Sequence, residues 1–204
     1  MLDYNEIKPG KFIILDSQPY LVVEFNFIRM QQRRPVAQTK IKNLITGNVI
    51  EKTFQQSDKV EEAEIEIRPI KYLYNRREEF WFCPARHSPE AKPMAGGEEN
   101  KKSDGRFKLV QSIVGDYAEM MKVNSIVDAL IFNNQVIKIK LPIKTELKVV
   151  EAPPSTRGNT AQGGIKQVKL ETGMTINVPL FINEGDVIRI NTETRQYIER
   201  VEKG

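Results

Sequence analysis

Alternating apolar and polar positions dominate the first part of the chain and predict short β-strands. Phe12-Ile13-Ile14-Leu15 follows the turn-forming Pro9-Gly10, and Asp16-Ser17-Gln18-Pro19 separates it from Tyr20-Leu21-Val22-Val23. Two longer apolar runs, 20–27 and 36–45, flank Arg29-Met30-Gln31-Gln32-Arg33-Arg34-Pro35. Together they predict a long hairpin with a polar, cationic tip. Thr46-Gly47-Asn48 predicts a second hairpin turn, with residues 49–54 pairing back. Strands this short, with turns this frequent, fit a small barrel and not a βαβ unit. The polar stretch Asp58-Lys59-Val60-Glu61-Glu62-Ala63-Glu64 closes a first domain, residues 1–64.

A second domain, residues 65–151, opens as strand, turn, strand through Tyr72-Leu73-Tyr74, Asn75-Arg76-Arg77 and Phe80-Trp81-Phe82. The alternation fails over 86–104, where Pro89, Pro93, Gly96, Gly97 and the charged Glu98, Glu99, Lys101 and Lys102 predict a long flexible insertion. Residues 114–121 predict a short helix whose Met120 and Met121 pack against a barrel. Two later segments form a near-repeat of strand, Asn-containing turn, strand. One runs from Ser125 through Asn133-Asn134 to Val136-Ile137-Lys138-Ile139, the other from Met174 through Asn183-Glu184-Gly185-Asp186 to Val187-Ile188-Arg189-Ile190. Ala152-Pro153-Pro154-Ser155 between them is a stiff linker that opens a third domain, residues 152–204. The pattern predicts an all-β, elongated molecule of three tandem small β-barrels, the last two related to each other.

Composition narrows the function classes. The chain has 204 residues, 40% of them hydrophobic, which suffices for packed cores, and a formal charge of +4 that leans only weakly toward polyanions. A single Cys excludes an internal disulfide, and its setting in Phe80-Trp81-Phe82-Cys83 predicts a buried, inert thiol. No Cys and His stand at zinc-ligand spacing, so neither a metal nor a cofactor is expected. His87, the only His, lies in the insertion, leaving no fixed imidazole for a catalytic triad, and no Walker-type glycine loop is present. The expectation is therefore a protein that is not an enzyme and has no catalytic residues. The N-terminus lacks the basic and apolar regions of a signal peptide and no apolar run reaches membrane-spanning length, which predicts a cytoplasmic location and no membrane partner.

Two segments carry candidate nucleic-acid chemistry. In the hairpin tip, Arg29, Arg33 and Arg34, with Lys40 and Lys42 beyond, form a cationic stretch uninterrupted by Asp or Glu. Guanidiniums bind phosphates bidentately or stack on bases, while the amides of Gln31 and Gln32 address sugar hydroxyls and base edges. Met30 completes the tip. The second segment is Thr156-Arg157-Gly158-Asn159-Thr160-Ala161-Gln162-Gly163-Gly164, where glycine-exposed backbone and one Arg suit close approach to RNA. An ordinary mobile loop is an equally good reading of it.

The sequence resembles the bacterial elongation factor P family over nearly its whole length. The resemblance rests on Lys8-Pro9-Gly10, Pro19-Tyr20-Leu21-Val22-Val23-Glu24, Lys40-Ile41-Lys42-Asn43-Leu44-Ile45-Thr46-Gly47 and Val49-Ile50-Glu51-Lys52-Thr53-Phe54. It continues through Tyr72-Leu73-Tyr74-Asn75, Leu147-Lys148-Val149-Val150-Glu151, Pro153-Pro154, Gly158-Asn159-Thr160, Gly163-Gly164 and Glu171-Thr172-Gly173. Its most specific match is Val178-Pro179-Leu180-Phe181-Ile182-Asn183-Glu184-Gly185-Asp186. The resemblance implies an SH3-like (KOW-type) domain followed by two OB-fold domains. It also implies a monomer that enters the ribosome beside the P-site peptidyl-tRNA and promotes peptide-bond formation at consecutive prolines. On that basis Arg29, Met30, Gln31, Gln32, Arg33 and Arg34 meet the tRNA acceptor end. Arg157, Gly158, Asn159, Thr160, Gly163 and Gly164 approach the E-site codon region of the mRNA and the small subunit.

Two departures from the family pattern bear on that expectation. Gln32 occupies the position where the family carries a modified Lys, or Arg, and offers no amine to modify; either the tip is unmodified or Arg33 takes its role after a one-residue shift. Asn159 stands where the family commonly has Asp. Two alternatives accompany this expectation. One is a paralogue with a different stalling-motif preference. The other is an off-ribosome RNA-binding OB protein, disfavoured because the aromatic residues fall largely at alternating core positions and leave few for stacking.

Overall fold

The computed structural model describes residues 1–28, 35–85, 105–154 and 164–204. Strand pairing organises them into three sheets. The first holds β1 (Leu2–Asp3), β2 (Phe12–Leu15), β3 (Gln18–Ile28), β4 (Val36–Asn43), β5 (Val49–Gln55) and β6 (Lys59–Glu62), in the order β1-β6-β2-β3-β4-β5. Asp16 and Ser17 take φ of 51° and 62°, so the β2–β3 connection is a tight turn built from left-handed residues, matching the twist of the strands it joins. Ile7, Ile13, Tyr20, Val22, Ala37, Ile41 and Phe54 are buried together in its core.

The second sheet holds β7 (Glu66–Arg76), β8 (Glu79–Pro84), β9 (Phe107–Val110), β10 (Ile126–Phe132) and β11 (Gln135–Lys140), in the order β11-β10-β7-β8-β9. Arg77-Glu78 and Asn133-Asn134 make the same kind of tight turn, with φ of 51° and 64° and of 50° and 63°. Phe82 lies between Tyr72 and Phe107, at centroid distances of 5.5 Å and 6.0 Å. The helix predicted over 114–121 begins earlier and is tighter: α1 (Gln111–Val114) passes into a 3₁₀ turn, Gly115–Met120. Gly115, at φ 60°, breaks the α-helix between them, and Met120 and Met121 are buried as expected. Cys83 is only partly buried.

The third sheet holds β12 (Lys144–Glu151), β13 (Ile165–Leu170), β14 (Thr175–Pro179), β15 (Val187–Asn191) and β16 (Gln196–Glu202), in the order β14-β13-β12-β15-β16. Its edge strands β14 and β16 approach each other, curling the sheet on itself around Leu147, Val149, Val168, Leu170, Ile188 and Ile190. The described residues fall into two compact units, one within Met1–Arg68 and Ala129–Lys138, the other holding 69–85, 105–128, 139–154 and 164–204.

The molecule is all-β, and the second and third sheets share one strand order, in which the first strand of each lies between its second and its fourth. The relatedness expected from the near-repeat therefore holds, but on different strands. The repeat matched β10 and β11, a true hairpin, to β14 and β15, which lie on opposite sides of β13 and β12 and do not pair. The counterparts of β10 and β11 are β15 and β16. The third sheet also begins earlier than the Pro153-Pro154 linker suggested. β12 pairs with β15 from Lys144↔Asn191 to Lys148↔Val187, so it belongs to the third sheet although it precedes the boundary expected at 151/152.

Candidate nucleic-acid interface

The hairpin that carries the tip is built from β3 and β4. Opposed pairs run from Tyr20↔Asn43 to Ile28↔Val36, and the register shifts between Val22↔Ile41 and Glu24↔Lys40, leaving Val23 as a bulge. The bulge changes parity: below it Tyr20 and Val22 face the core, above it Phe25 does, while Phe27, on the same side, is half exposed. The sequence carries this break openly, since Tyr20-Leu21-Val22 and Phe25-Asn26-Phe27 alternate in opposite phase. β5 pairs with β4 along the whole length of β4's tip-ward half, from Lys42↔Val49 to Val36↔Gln55. The tip is thus carried on three strands, which hold an orientation far better than a two-stranded ribbon.

Rows of three side chains cross these strands. On the side that carries the buried Val22, Ile41, Thr39, Ala37 and Phe54 lie the rows Val22, Ile41, Ile50; then Phe25, Thr39, Lys52; then Phe27, Ala37, Phe54, of which Ile50, Lys52 and Phe27 are exposed. Ala37 and Phe54 are buried, Tyr4 stacks on Phe27 at 6.3 Å, and the Thr39 hydroxyl donates to the Lys52 carbonyl at 2.9 Å. The core of the first sheet therefore extends almost to the base of the tip.

Facing outward are Glu24, Lys40, Glu51; then Asn26, Gln38, Thr53; then Ile28, Val36, Gln55. Lys40 Nζ lies 2.8 Å from Glu24 Oε2. Its ammonium is held above the usual lysine range, first by the hydrogen bond and charge of Glu24 and additionally by the charge of Glu51. Lys40 thus adds nothing to the free positive charge of the tip, contrary to the reading along the chain. Glu24 and Glu51 were missed because they reach Lys40 across the strands; a hairpin register, which places Glu24 opposite Lys40, is the signal that finds them.

Arg29, Met30, Gln31, Gln32, Arg33 and Arg34 themselves lie outside the described residues, as do Arg157, Gly158, Asn159, Thr160, Gly163, His87 and the insertion 86–104. Of the third-domain loop, Gly164 is described, and its carbonyl accepts from Leu180 N at 3.3 Å. Lys166 Nζ donates to the Pro153 carbonyl at 3.1 Å, tying together the two chain segments that enter and leave the loop. Among the described residues no group of His, Cys, Asp and Glu is arranged to hold a metal ion, and no helix is long and apolar enough to cross a membrane.

The motif ending in Asp186 folds into a closed turn. Asp186 Oδ2 accepts from Asn183 N at 2.9 Å and Oδ1 from Gly204 N at 2.9 Å, with Arg200 Nη1 at 3.3 Å from Oδ2. Gly185 N donates to Val149 O and Val149 N to Asp186 O, both at 2.9 Å, so the turn is stitched to β12. Burial alone raises the Asp186 carboxyl, but the two backbone amides and Arg200 outweigh it and hold it below the usual range. This turn is structural.

Sequence comparison agrees with the architecture. Residues 3–60 match the family model of the elongation factor P KOW-like domain, and residues 145–200 that of the elongation factor P C-terminal domain. Elongation factor P of Carboxydothermus hydrogenoformans is 37% identical over 201 residues, covering 98% of this chain and 100% of the relative. The chain belongs to the elongation factor P family. Elongation factor P of Thermodesulfovibrio yellowstonii is 34% identical over 203 residues, covering 100% of both chains, and that of Moorella thermoacetica 38% over 200 residues, covering 98% of this chain and 100% of the other. Among solved structures, translation initiation factor 5A from Methanococcus jannaschii superposes with a TM-score of 0.48 at 12% identity, covering 69% of this chain and 90% of that one. As a member of the elongation factor P family the protein is a translation elongation factor. The C-terminal model starts at residue 145, in keeping with β12 as the first strand of the third sheet.

Proposed function

We propose that this elongation factor P family member binds the ribosome next to the P-site peptidyl-tRNA and promotes peptide-bond formation at stalling, proline-rich sequences. The observation that carries the reading is the three-stranded stalk. Its inner face stays buried as far as Ala37 and Phe54, and from its end runs a segment rich in Arg and Gln and free of acid. On this reading Gln31 and Gln32 hydrogen-bond the tRNA acceptor end while Arg33 and Arg34 bind its phosphates. Arg157, Gly158, Asn159, Thr160, Gly163 and Gly164 contact mRNA in the E site or the small subunit. Three domains are proposed, one per sheet, the third beginning at β12.

The contribution is orientation; the protein makes and breaks no bond. Proline's ring fixes its φ and so restricts the geometries from which it reacts. Holding the acceptor end in a reactive pose supplies part of the entropy cost of that step, and the ribosome's own centre does the chemistry. Because Gln32 lacks an amine, the tip acts through encoded side chains.

The test is the double variant Arg33→Ala/Arg34→Ala, assayed for ribosome affinity across salt concentrations and for translation of a polyproline reporter. Each lost phosphate contact lowers the slope of log affinity against log salt by about 0.7–0.9, so the double variant is expected to lose about 1.5 in slope and to stall at the reporter. Unchanged affinity, slope and reporter translation in the double variant would refute the assignment.

A further inference from the structure

The outward row Glu24, Lys40, Glu51 lies immediately above the Val23 bulge, between the barrel core and the tip. It is the one row of the stalk in which all three strands contribute a charge, and the charges alternate in sign. Two carboxylates flank one ammonium in this row, and the contact that Lys40 makes is with Glu24, within the sheet itself. An extra residue on one strand loosens the ladder and increases local twist, and something must fix the angle at which the strands continue. Lys40 bonds to the first residue past the bulge on β3, with Nζ 2.8 Å from Glu24, while Glu51 flanks it on the β5 side. Barrel stability resides in the opposite face, where Val22 and Ile41 are buried, so the outer row is free to serve orientation.

We infer that Lys40 is a positioning residue: clasped between Glu24 and Glu51, it locks the stalk at the bulge and sets the direction in which the tip is presented. The inference rests on the proposed role of the tip at the ribosome, but the mechanical part is separable from it.

The experiment uses the full chain and compares Lys40→Met, Lys40→Arg and the triple exchange Glu24→Lys/Lys40→Glu/Glu51→Lys, with Lys59→Met as a charge-loss control on β6. Amide hydrogen exchange reads the stalk directly. Lys40→Met is expected to speed exchange at Asn26, Phe27, Ile28, Ala37 and Gln38 by about two- to fivefold while leaving Ile13 and Val22 unchanged. Polyproline-reporter translation is expected to fall by a similar factor with the salt slope of ribosome binding unaltered. Lys40→Arg and the triple exchange, which rebuild the alternating row, restore both readouts; Lys59→Met changes neither. Unaltered exchange in Lys40→Met overturns the locking role, whatever the reporter shows. A drop in salt slope of about 0.7–0.9 overturns it in favour of a direct phosphate contact, and so does failure of the triple exchange to restore the reporter. If the wild-type chain neither binds ribosomes nor relieves the reporter, the proposed function fails while the exchange arm still decides whether the row locks the stalk.

Discussion

Removing the Asp186 carboxylate tests whether the family's most specific C-terminal motif is a stability element. Asp186 is 1% exposed and accepts two backbone N–H groups at 2.9 Å, from Asn183 and Gly204, besides facing Arg200 at 3.3 Å. In Asp186→Ala both amides lose their carboxylate acceptor. A hydrogen bond to a charged group is worth about 1.5–3 kcal/mol, and two are lost, but the variant also escapes the cost of burying a carboxylate. The net expectation is about 2–4 kcal/mol, or roughly 4–16 °C in melting temperature for a chain of this length. Asp186→Asn keeps one good acceptor and is expected to lose about half as much. The pH dependence follows from the lowered carboxyl. A group whose folded pKa lies below its unfolded value of about 3.9 stabilises fully above that value and loses its contribution as pH falls through the folded pKa. Thermal unfolding of wild type and Asp186→Asn at neutral pH and through the acid range therefore gives a gap that is constant above about pH 5 and narrows below about pH 4. A neutral-pH gap of less than about 0.5 kcal/mol, or one that persists undiminished in acid, would show that the turn is held by something other than this carboxylate.

Phe54→Ala removes the buried ring at the tip-ward end of the inner face, beside Ala37, and is expected to cost about 3–4 kcal/mol, measured by urea unfolding. A loss under about 1 kcal/mol would mean that the core stops short of the tip. At Gln32, intact mass of the protein from its native cells is expected to equal the sequence mass across the tip, because an amide offers no nucleophilic nitrogen for aminoacylation. A mass addition mapped to Gln32 would overturn the unmodified-tip reading.

Local pattern and long-range pairing divide what was legible in this chain from what was not. The tip hairpin was readable because its two strands are adjacent in sequence, and even the bulge is written in the phase change between Val22 and Phe25. The all-β class followed for the same reason, since turns such as Asp16-Ser17 and Asn133-Asn134 are local chemistry. β12 escaped because its partner β15 is remote: nothing near Lys144 announces Asn191, and the conspicuous Pro153-Pro154 drew the boundary to itself. The near-repeat misaligned for a related reason, since short β-branched strands around Asn-containing turns look alike, and only the sheet order distinguishes β14–β15 from the hairpin β10–β11.

Charge obeys the same division, with consequences for the interface. Counted along the chain, residues 29–42 hold cations without acid, and Lys40 joins the tip. Counted across the strands, Lys40 is offset by Glu24 and Glu51, which leaves Lys42 one row below it and Arg29, Arg33 and Arg34 beyond the last described pair of the stalk. On the proposed reading a polyanion is drawn chiefly to the end of the hairpin, because on its side Glu24 and Glu51 offset Lys40 and Lys42. That contrast favours end-on delivery of the tip over a stalk lying lengthwise against RNA. It also explains why a conspicuous lysine on the hairpin is better assigned to aiming the tip than to touching what the tip reaches.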